Sequence, residues 1–144
     1  MLELRHIDAE NFWDIIELRV SPEQEKLVTS NAVSIAQAKV QPECVPLTIY
    51  CDGQPVGFVM YCIDRDDNEY WIYRLMVDVR FQGKGYGRQA MEQVISIIQK
   101  DDSRHKLFLG VHPEGGASVA LYQSLGFVFT GQVFGQEHIM VLEY

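Results

Sequence analysis

Residues 75–88 constrain the fold of this chain more than any other segment. An apolar run typical of a buried strand is followed by a loop with glycine at positions 83, 85 and 87, and then by an apolar pattern of helical period that extends to Ile98. The N–H groups in the first turn of a helix have no partner within the helix and carry partial positive charge, and glycine lets an anion approach the main chain. A strand, a glycine loop and a helix in this order therefore predict a site for phosphate groups.

The spacing of the glycines distinguishes between phosphate ligands. A P-loop requires G-x-x-x-x-G-K-[ST], whereas Lys84 has no hydroxyl residue after it. The dinucleotide fingerprint G-x-G-x-x-[GA] can start at Gly85 only if Ala90 is allowed in its last position. The clear acidic residue that should follow about 20 positions later is also missing. The pattern Gln82-x-x-Gly85-x-Gly87 instead resembles the [RQ]-x-x-G-x-[GA] signature of the GNAT superfamily of N-acetyltransferases, in which the loop amides bind the pyrophosphate of acetyl-coenzyme A.

A second motif strengthens this resemblance. Residues 121–127 resemble the L-Y-x-x-x-G-F segment that closes the catalytic half of the superfamily. A short helix with Leu121 and Leu125 on its core face and Gly126 after its end explains the leucines and the glycine, but not the tyrosine. With both motifs in register, the resemblance covers nearly the whole chain. It implies one mixed α/β domain over residues 1–144 with the GNAT fold, in which a parallel pair of strands splays apart to admit the pantetheine arm; a homodimer is usual among the relatives.

The resemblance also assigns residues to acetyl-CoA, the implied co-substrate. The pantetheine arm is expected to contact the backbone of Leu75, Met76 and Val77. The pyrophosphate is expected to contact Gly83, Lys84, Gly85, Tyr86, Gly87 and Arg88, with Gln82 bracing the loop. A backbone N–H of the strand can also polarise the thioester carbonyl, as an oxyanion donor does. No metal is implied.

Tyr122 is the implied general acid of the transfer. A thiol with a pKa of about 8.5 leaves more easily when its sulfur receives a proton, and a phenol with a pKa of about 10 can donate one. The alternative is a buried tyrosine whose hydroxyl bonds a carbonyl.

The group that deprotonates the attacking amine is less clear from the sequence. An alkyl ammonium has a pKa of about 10.4 and must lose a proton before it attacks. Polyamine acetyltransferases often keep a carboxylate for this on the fourth strand, and the matching position here is Tyr73. One interpretation is that a chain of water molecules carries the proton of the amine to Glu69, Asp66 or Asp67. The other is that these residues are only charges of a solvated hairpin.

Two further positions depart from the pattern of the relatives. Many of them have an asparagine seven residues before the tyrosine and an alanine four before it, where this chain has Gly115 and Ser118. With Pro113, Glu114 and Gly116, these residues predict a looser and wider wall of the cofactor site.

The region that selects the acceptor in this superfamily joins the first two helices. Residues 20–28, with Asn31, Ser34 and Ala38, look similar to bacterial spermine/spermidine (diamine) acetyltransferases, and so does the G-x-x-V-G-F-x-M-Y run at 53–61. The resemblance therefore implies transfer to a primary amine of a small polycation. Glu23 and Glu25 could face such a chain, or could simply be charges of an exposed loop. The alternatives are an acetyltransferase for a protein N-terminus or an aminoglycoside, and a catalytically silent module that binds coenzyme A.

The charge of the chain agrees with a cationic substrate. The net charge is −8 and the sequence pI is about 4.9. Nucleic-acid binding relies on lysine and arginine contacts to phosphate, so it is not expected here. An acidic surface attracts cations, although many proteins inside cells are simply acidic.

Cysteine usage and hydropathy indicate a cytoplasmic protein. Cys44, Cys51 and Cys62 have no metal-type spacing, and their odd number argues against a disulfide framework. We interpret them as reduced thiols. No apolar run approaches the roughly 20 residues of a spanning helix, and the N-terminus lacks the layout of a signal peptide, so no membrane association is expected.

The apolar patterns predict alternating strands and helices. The expected strands span residues 2–7, 45–51, 56–63, 70–77, 107–111, 128–134 and 138–142. The expected helices start at Asp8 as N-cap, with Ser21-Pro22-Glu23 ending the first, and continue at 30–39, 85–100 and 118–125. Asp52-Gly53 predicts a hairpin turn, and the apolar run at 107–111 predicts a strand covered on both faces.

Overall fold

The computed structural model describes all 144 residues, which form one mixed sheet flanked by helices. The strands are β1 Leu2–His6, β2 Cys44–Cys51, β3 Gln54–Ile63, β4 Tyr70–Val77, β5 Lys106–Val111, β6 Val128–Phe134 and β7 Glu137–Glu143. The helices are α1 Phe12–Ile16, α2 Pro22–Glu25, α3 Asn31–Val40, α4 Tyr86–Ile98 and α5 Gly116–Ser124, with a 3-10 turn at Val79–Phe81. The strand order β1-β2-β3-β4-β5-β7-β6 makes a mixed α/β fold, as the sequence predicts.

The parallel pair β4–β5 separates soon after it begins. Every other pair of neighbours in the sheet is antiparallel. The β4–β5 register ends at the pair Ile72–Leu109. At the same level the β3–β4 register shifts, because Met60 pairs with Arg74 and Tyr61 with Ile72, so Tyr73 is the extra residue of a bulge. The expected splay is therefore present, and it opens at Tyr73.

The core lies on both faces of the sheet. On one face, α4 buries Ala90, Met91, Val94 and Ile98 in a cluster that includes Tyr122 and Phe127. This is the face that the helical period predicts. On the other face, α1 and α3 cover a smaller cluster of seven buried residues that includes Phe58, Met60 and Met76. Burying one large apolar side chain contributes about 1.5–3 kcal/mol. Each cluster therefore holds its helices firmly against its own face of the sheet.

Three local predictions differ from the structure. Residues 21–23 do not end the first helix, because α1 already ends at Ile16, and Ser21 and Gln24 instead form a capping box that starts α2 with Pro22 at its first position. The N-cap of α1 is Asn11 rather than Asp8, whose carboxylate instead accepts the backbone N–H groups of the turn before the helix. From Leu107 to Val111, β5 alternates between buried and half-buried residues, so only one of its faces is fully covered.

No helix in the structure combines the length and the apolar character that crossing a bilayer requires.

Candidate active site

A cavity of about 550 Å³ lies where β4 and β5 separate, and we call it the cleft. Its walls come from the end of β4, the glycine loop, the start of α5 and the end of β5. The last wall is the segment around α2, residues 19–29, which we call the α2 segment. The ionisable side chains that line it include Tyr73, Arg74, His112, Glu114, Tyr122 and Glu137. The cleft therefore joins the predicted phosphate loop to the predicted acid in one space.

The glycine loop presents backbone to the cleft. Gly83 and Gly85 have φ angles of +79° and +81°, which L side chains rarely adopt, and no atom other than the far end of the Gln89 side chain lies within 4 Å of a Cβ built at either position. Gln82 donates a hydrogen bond of 2.9 Å to the Val77 carbonyl and thereby ties the loop to the end of β4. Open space in front of a helix N-terminus fits the pyrophosphate of coenzyme A.

Two cationic residues flank this loop without lining the cleft. Lys84 is exposed, with its ammonium 5.9 Å from the centre of the Phe81 ring. Arg88 is also exposed, lies 3.5 Å from Glu92 and donates to the Ser124 hydroxyl. Both lie on the rim, so a phosphate group inside the cleft would meet mainly main-chain groups and the start of α4.

The backbone of Leu75, Met76 and Val77 lines the cleft beyond the splay. These residues pair with β3 on one side, and none of them pairs with β5 on the other. Main-chain groups that point toward β5 are therefore available to a ligand that enters the gap, which is the contact expected of the pantetheine arm.

Tyr122 lies on α5, is 7% exposed and packs edge-on against Phe127 at 5.7 Å. Burial raises the pKa of its phenol, so the group is protonated at neutral pH. Its hydroxyl makes no hydrogen bond within the protein, in contrast to the alternative of a tyrosine bonded to a carbonyl. A protonated phenol without an internal partner, at the wall of the cleft, can donate to a ligand.

Tyr73 is linked to a carboxylate that the sequence does not single out. Its hydroxyl donates a hydrogen bond of 2.6 Å to Asp64, just after β3. Burial and this hydrogen bond raise the pKa of Tyr73, which therefore does not act as a base at neutral pH. Because a hydroxyl has one proton and two lone pairs, Tyr73 can still accept an N–H from a ligand in the cleft. The bulge at Tyr73 explains why an ordinary strand pattern does not reveal this contact.

The other carboxylates near β4 lie outside the cleft. Asp67 accepts from the Trp71 indole at 2.8 Å and from the Glu69 backbone at 3.0 Å. Asp66 is exposed. All three candidates for a water relay belong to the hairpin before β4, at the end of the strand away from the splay, and none lines the cleft. The structure gives them the role of hairpin charges.

Two charged side chains in the cleft have no motif in the sequence. Arg74 donates to the Tyr73 carbonyl and to Gln37 of α3, both at 2.8 Å. Burial lowers the pKa of Arg74, while the negative charge of Glu137 opposes this shift. Glu137 comes from the start of β7, more than 60 residues further along the chain, so no local pattern could have linked the two.

The segment around α2 covers one side of the cleft. Gln24 lines the cleft and accepts a hydrogen bond of 3.0 Å from Gln82, whereas Glu23 and Glu25 are exposed and do not line it. Lys26 lies 3.7 Å from Glu114, on the loop after β5. Both contacts bridge from the α2 segment to elements of the cofactor side.

Buried Asp78 joins the α2 segment to the cofactor side, and the sequence motif does not include it. Its carboxylate accepts the backbone N–H groups of Arg19 and Arg80, each at 2.9 Å, and the Arg80 guanidinium at 2.9 Å. Burial opposes its ionisation, but these hydrogen bonds have the larger combined effect and lower the pKa of Asp78.

The two positions that depart from the pattern of the relatives, Gly115 and Ser118, both line the cleft.

Comparison with known proteins agrees with this arrangement. Residues 9–127 match the acetyltransferase (GNAT) family. The spermine/spermidine N(1)-acetyltransferase of Bacillus subtilis strain 168 is 28% identical over 149 residues, which cover 99% of this chain and 98% of that protein. The crystal structure of spermidine N-acetyltransferase from Vibrio cholerae, in complex with CoA and spermine, is similar with a TM-score of 0.76 and 17% identity, over 99% of this chain and 95% of the other. That of aminoglycoside acetyltransferase AAC(6')-Ib, with coenzyme A, has a TM-score of 0.80 and 15% identity, with the same coverage. The likeness to both crystal structures extends over the fold, and the family match spans the glycine loop and the tyrosine: the chain belongs to the GNAT family of acetyltransferases.

Proposed function

We propose that this protein transfers the acetyl group of acetyl-CoA to a primary amine of a small polycation such as spermidine or spermine. The observation that carries the proposal is the cleft at the splay, which joins a backbone site for the cofactor to Tyr122 on one side and to Tyr73 on the other. The named function of the Bacillus relative and the bound spermine of the Vibrio structure support the choice of a polyamine.

On the cofactor side, the chain's own groups hold the acetyl donor. The loop from Gln82 to Arg88 and the start of α4 bind the phosphates, and the backbone of residues 75–77 runs along the pantetheine arm. Direct attack in this ternary complex releases a thiolate, and Tyr122 supplies its proton. Because burial raises the pKa of Tyr122, the proton stays on the phenol until the sulfur accepts it.

On the acceptor side, Tyr73 orients the amine. Its proton is engaged with Asp64, so its lone pairs accept an N–H of the acceptor. The Asp64 carboxylate behind it strengthens that interaction, since a phenol that donates to an anion becomes a better acceptor. A neutral tyrosine and a carboxylate behind it thus occupy the position at which polyamine relatives keep a carboxylate on the strand.

The test is a steady-state screen of acceptors with acetyl-CoA as donor. The panel contains spermine, spermidine, a diamine, an aminoglycoside and peptides with free N-termini. The proposal predicts that kcat/KM is highest for the polyamines. A higher value for the aminoglycoside or a peptide would overturn the substrate, and binding of acetyl-CoA without turnover on any amine would overturn the catalytic role.

A further inference from the structure

We propose that Glu137 receives the ammonium group of the acceptor and takes the proton that this nitrogen loses before attack. The inference rests on the proposed amine acetylation and adds a residue from β7 to it.

The position of Glu137 depends on a glycine in the neighbouring strand. Ile139 of β7 pairs with Gly110 of β5, and Glu137 folds back over that glycine. A Cβ built on Gly110 would lie 2.8 Å from the Glu137 Oε2 and 3.2 Å from its Cβ, so a side chain at position 110 would displace the carboxylate. Gly110 is the first residue of β5 beyond the last pair with β4, Ile72–Leu109. The carboxylate therefore lies at the opening of the splay.

Elimination among the acidic groups leads to the same residue. Only two carboxylates line the cleft, Glu114 and Glu137. Glu114 is paired with Lys26 at 3.7 Å, whereas Glu137 has no salt bridge within 4.0 Å. Asp64 reaches the cleft only through the hydroxyl of Tyr73.

The charges around Glu137 suit a cationic ligand. The titratable groups that line the cleft with it are Tyr73 and Arg74 on β4, Tyr86 on α4, His112 and Glu114 on the loop after β5, and Tyr122 on α5, whereas His138, beside it on β7, lines a different pocket. Arg74 is held by Gln37 and the Tyr73 carbonyl rather than by Glu137. The carboxylate keeps all its lone pairs for a ligand, and an ammonium is the donor that gains most from them.

The proton balance of the reaction gives Glu137 a defined step. The acceptor nitrogen begins as an ammonium and loses two protons as the C–N bond forms and the C–S bond breaks. One proton passes to Glu137 and then to solvent, which frees the lone pair that attacks the carbonyl carbon. The sulfur leaves with the electron pair of the C–S bond and takes a proton from Tyr122. The second proton of the nitrogen passes through solvent to Tyr122 and restores its phenol.

The experiment compares Glu137→Gln with Glu143→Gln, an exposed glutamate at the far end of the same strand. With spermidine at about pH 7, general base catalysis predicts that kcat/KM of Glu137→Gln falls by roughly 10²–10⁴-fold. The deficit should shrink as the pH approaches the ammonium pKa of about 10.4, because free amine needs no base. The affinity for acetyl-CoA and the Tm should match those of Glu143→Gln, which should behave like the wild type.

A second variant keeps the glutamate and moves it. Gly110→Ala should displace the carboxylate and reproduce the pH-dependent deficit. The inference would be overturned if Glu137→Gln had the kcat/KM of the wild type, or if its deficit were equal at every pH. In either case the proposed acetylation of amines would still stand. A wild-type protein that acetylates no amine would instead overturn the proposed function.

Discussion

The cofactor side and the acceptor side of the cleft are built in different ways. On the side proposed for the cofactor, the cleft is lined by main chain at the end of β4, at two glycines with positive φ and at the start of α4. On the side proposed for the acceptor, it is lined by side chains, among them Tyr73, Arg74 and Glu137. A site made of backbone binds any molecule with the right phosphates, whereas a site made of side chains selects by charge and hydrogen bonding. We therefore expect substitutions on one side to weaken the binding of acetyl-CoA and substitutions on the other to change the choice of acceptor, each without the other effect.

The largest effect that separates the two sides is expected at Gly87. A Cβ there has ordinary contacts of 3.7 Å with Leu121 and Val77, so the fold should tolerate Gly87→Val, while the added methyl groups narrow the cleft at the start of α4. Loss of two charged hydrogen bonds to phosphate, at about 2 kcal/mol each, predicts that Kd for acetyl-CoA rises roughly 10³-fold. Calorimetry measures this.

Gln89→Val is the matched control for this substitution. It places the same side chain on an exposed residue of α4 outside the cleft. Gly85 is less suitable for the test, because its φ of +81° would strain any side chain. Unchanged affinity in folded Gly87→Val would mean that the phosphates lie elsewhere.

The next largest effect is on stability, at the contact that joins the two sides. Asp78→Ala removes a carboxylate that is 3% exposed and accepts several N–H groups, which predicts a loss of roughly 3 kcal/mol in the free energy of unfolding. Denaturant titration measures it, with exposed Asp102→Ala as the control. A loss no larger than that of the control would remove Asp78 from the account.

The same residue gives the prediction a pH dependence. The folded state lowers the pKa of Asp78 below its usual value of 3.8, so the carboxylate stabilises the fold fully above about pH 4. That contribution disappears as the pH falls through the folded pKa. The difference between the wild type and Asp78→Ala should therefore be constant near neutral pH and should shrink in acid.

The contrast between the two sides also explains what the sequence could predict. Strand β4 was expected at 70–77 and is found there, and the loop and α4 follow it without a gap, because their signals are local. Asp64 reaches the cleft only through the Tyr73 hydroxyl at the bulge, and the splay and the return of β7 bring Arg74 and Glu137 together at the cleft. No spacing in a single sequence encodes such a meeting.

One motif has a structural explanation that the sequence could not supply. The run at 53–61 resembles that of polyamine acetyltransferases. Gly53 has a φ of +79° in the hairpin turn, and a Cβ on Gly57 would lie 2.4 Å from the Met76 carbonyl oxygen. Gly53 thus serves the hairpin turn and Gly57 the close approach of β3 to β4, so these two positions of the motif have a structural role of their own.

The smallest effect concerns the overall charge. If the −8 net charge attracts a polycation, kcat/KM for spermidine should fall roughly tenfold between about 0.1 M and 1 M salt, as the Debye length shortens from about 10 Å to 3 Å. A neutral acceptor is the control and should show much less. Glu23→Gln combined with Glu25→Gln should reduce the salt effect slightly, since both residues are exposed and outside the cleft. An equal salt response for both acceptors would make the charge a solubility feature.

The most direct test of the account is to measure kcat and the acetyl-CoA Kd of Tyr122→Phe together. The substitution keeps the ring against Phe127 and removes only a hydroxyl that has no partner in the protein, so the Tm should change little. The account predicts that kcat with spermidine falls by roughly 10²–10⁴-fold while Kd for acetyl-CoA stays at the wild-type value, because backbone binds the cofactor and the phenol protonates the sulfur. Near-native kcat at saturating acetyl-CoA would contradict it, and Tyr122 would then be a packed aromatic residue at the edge of the cleft.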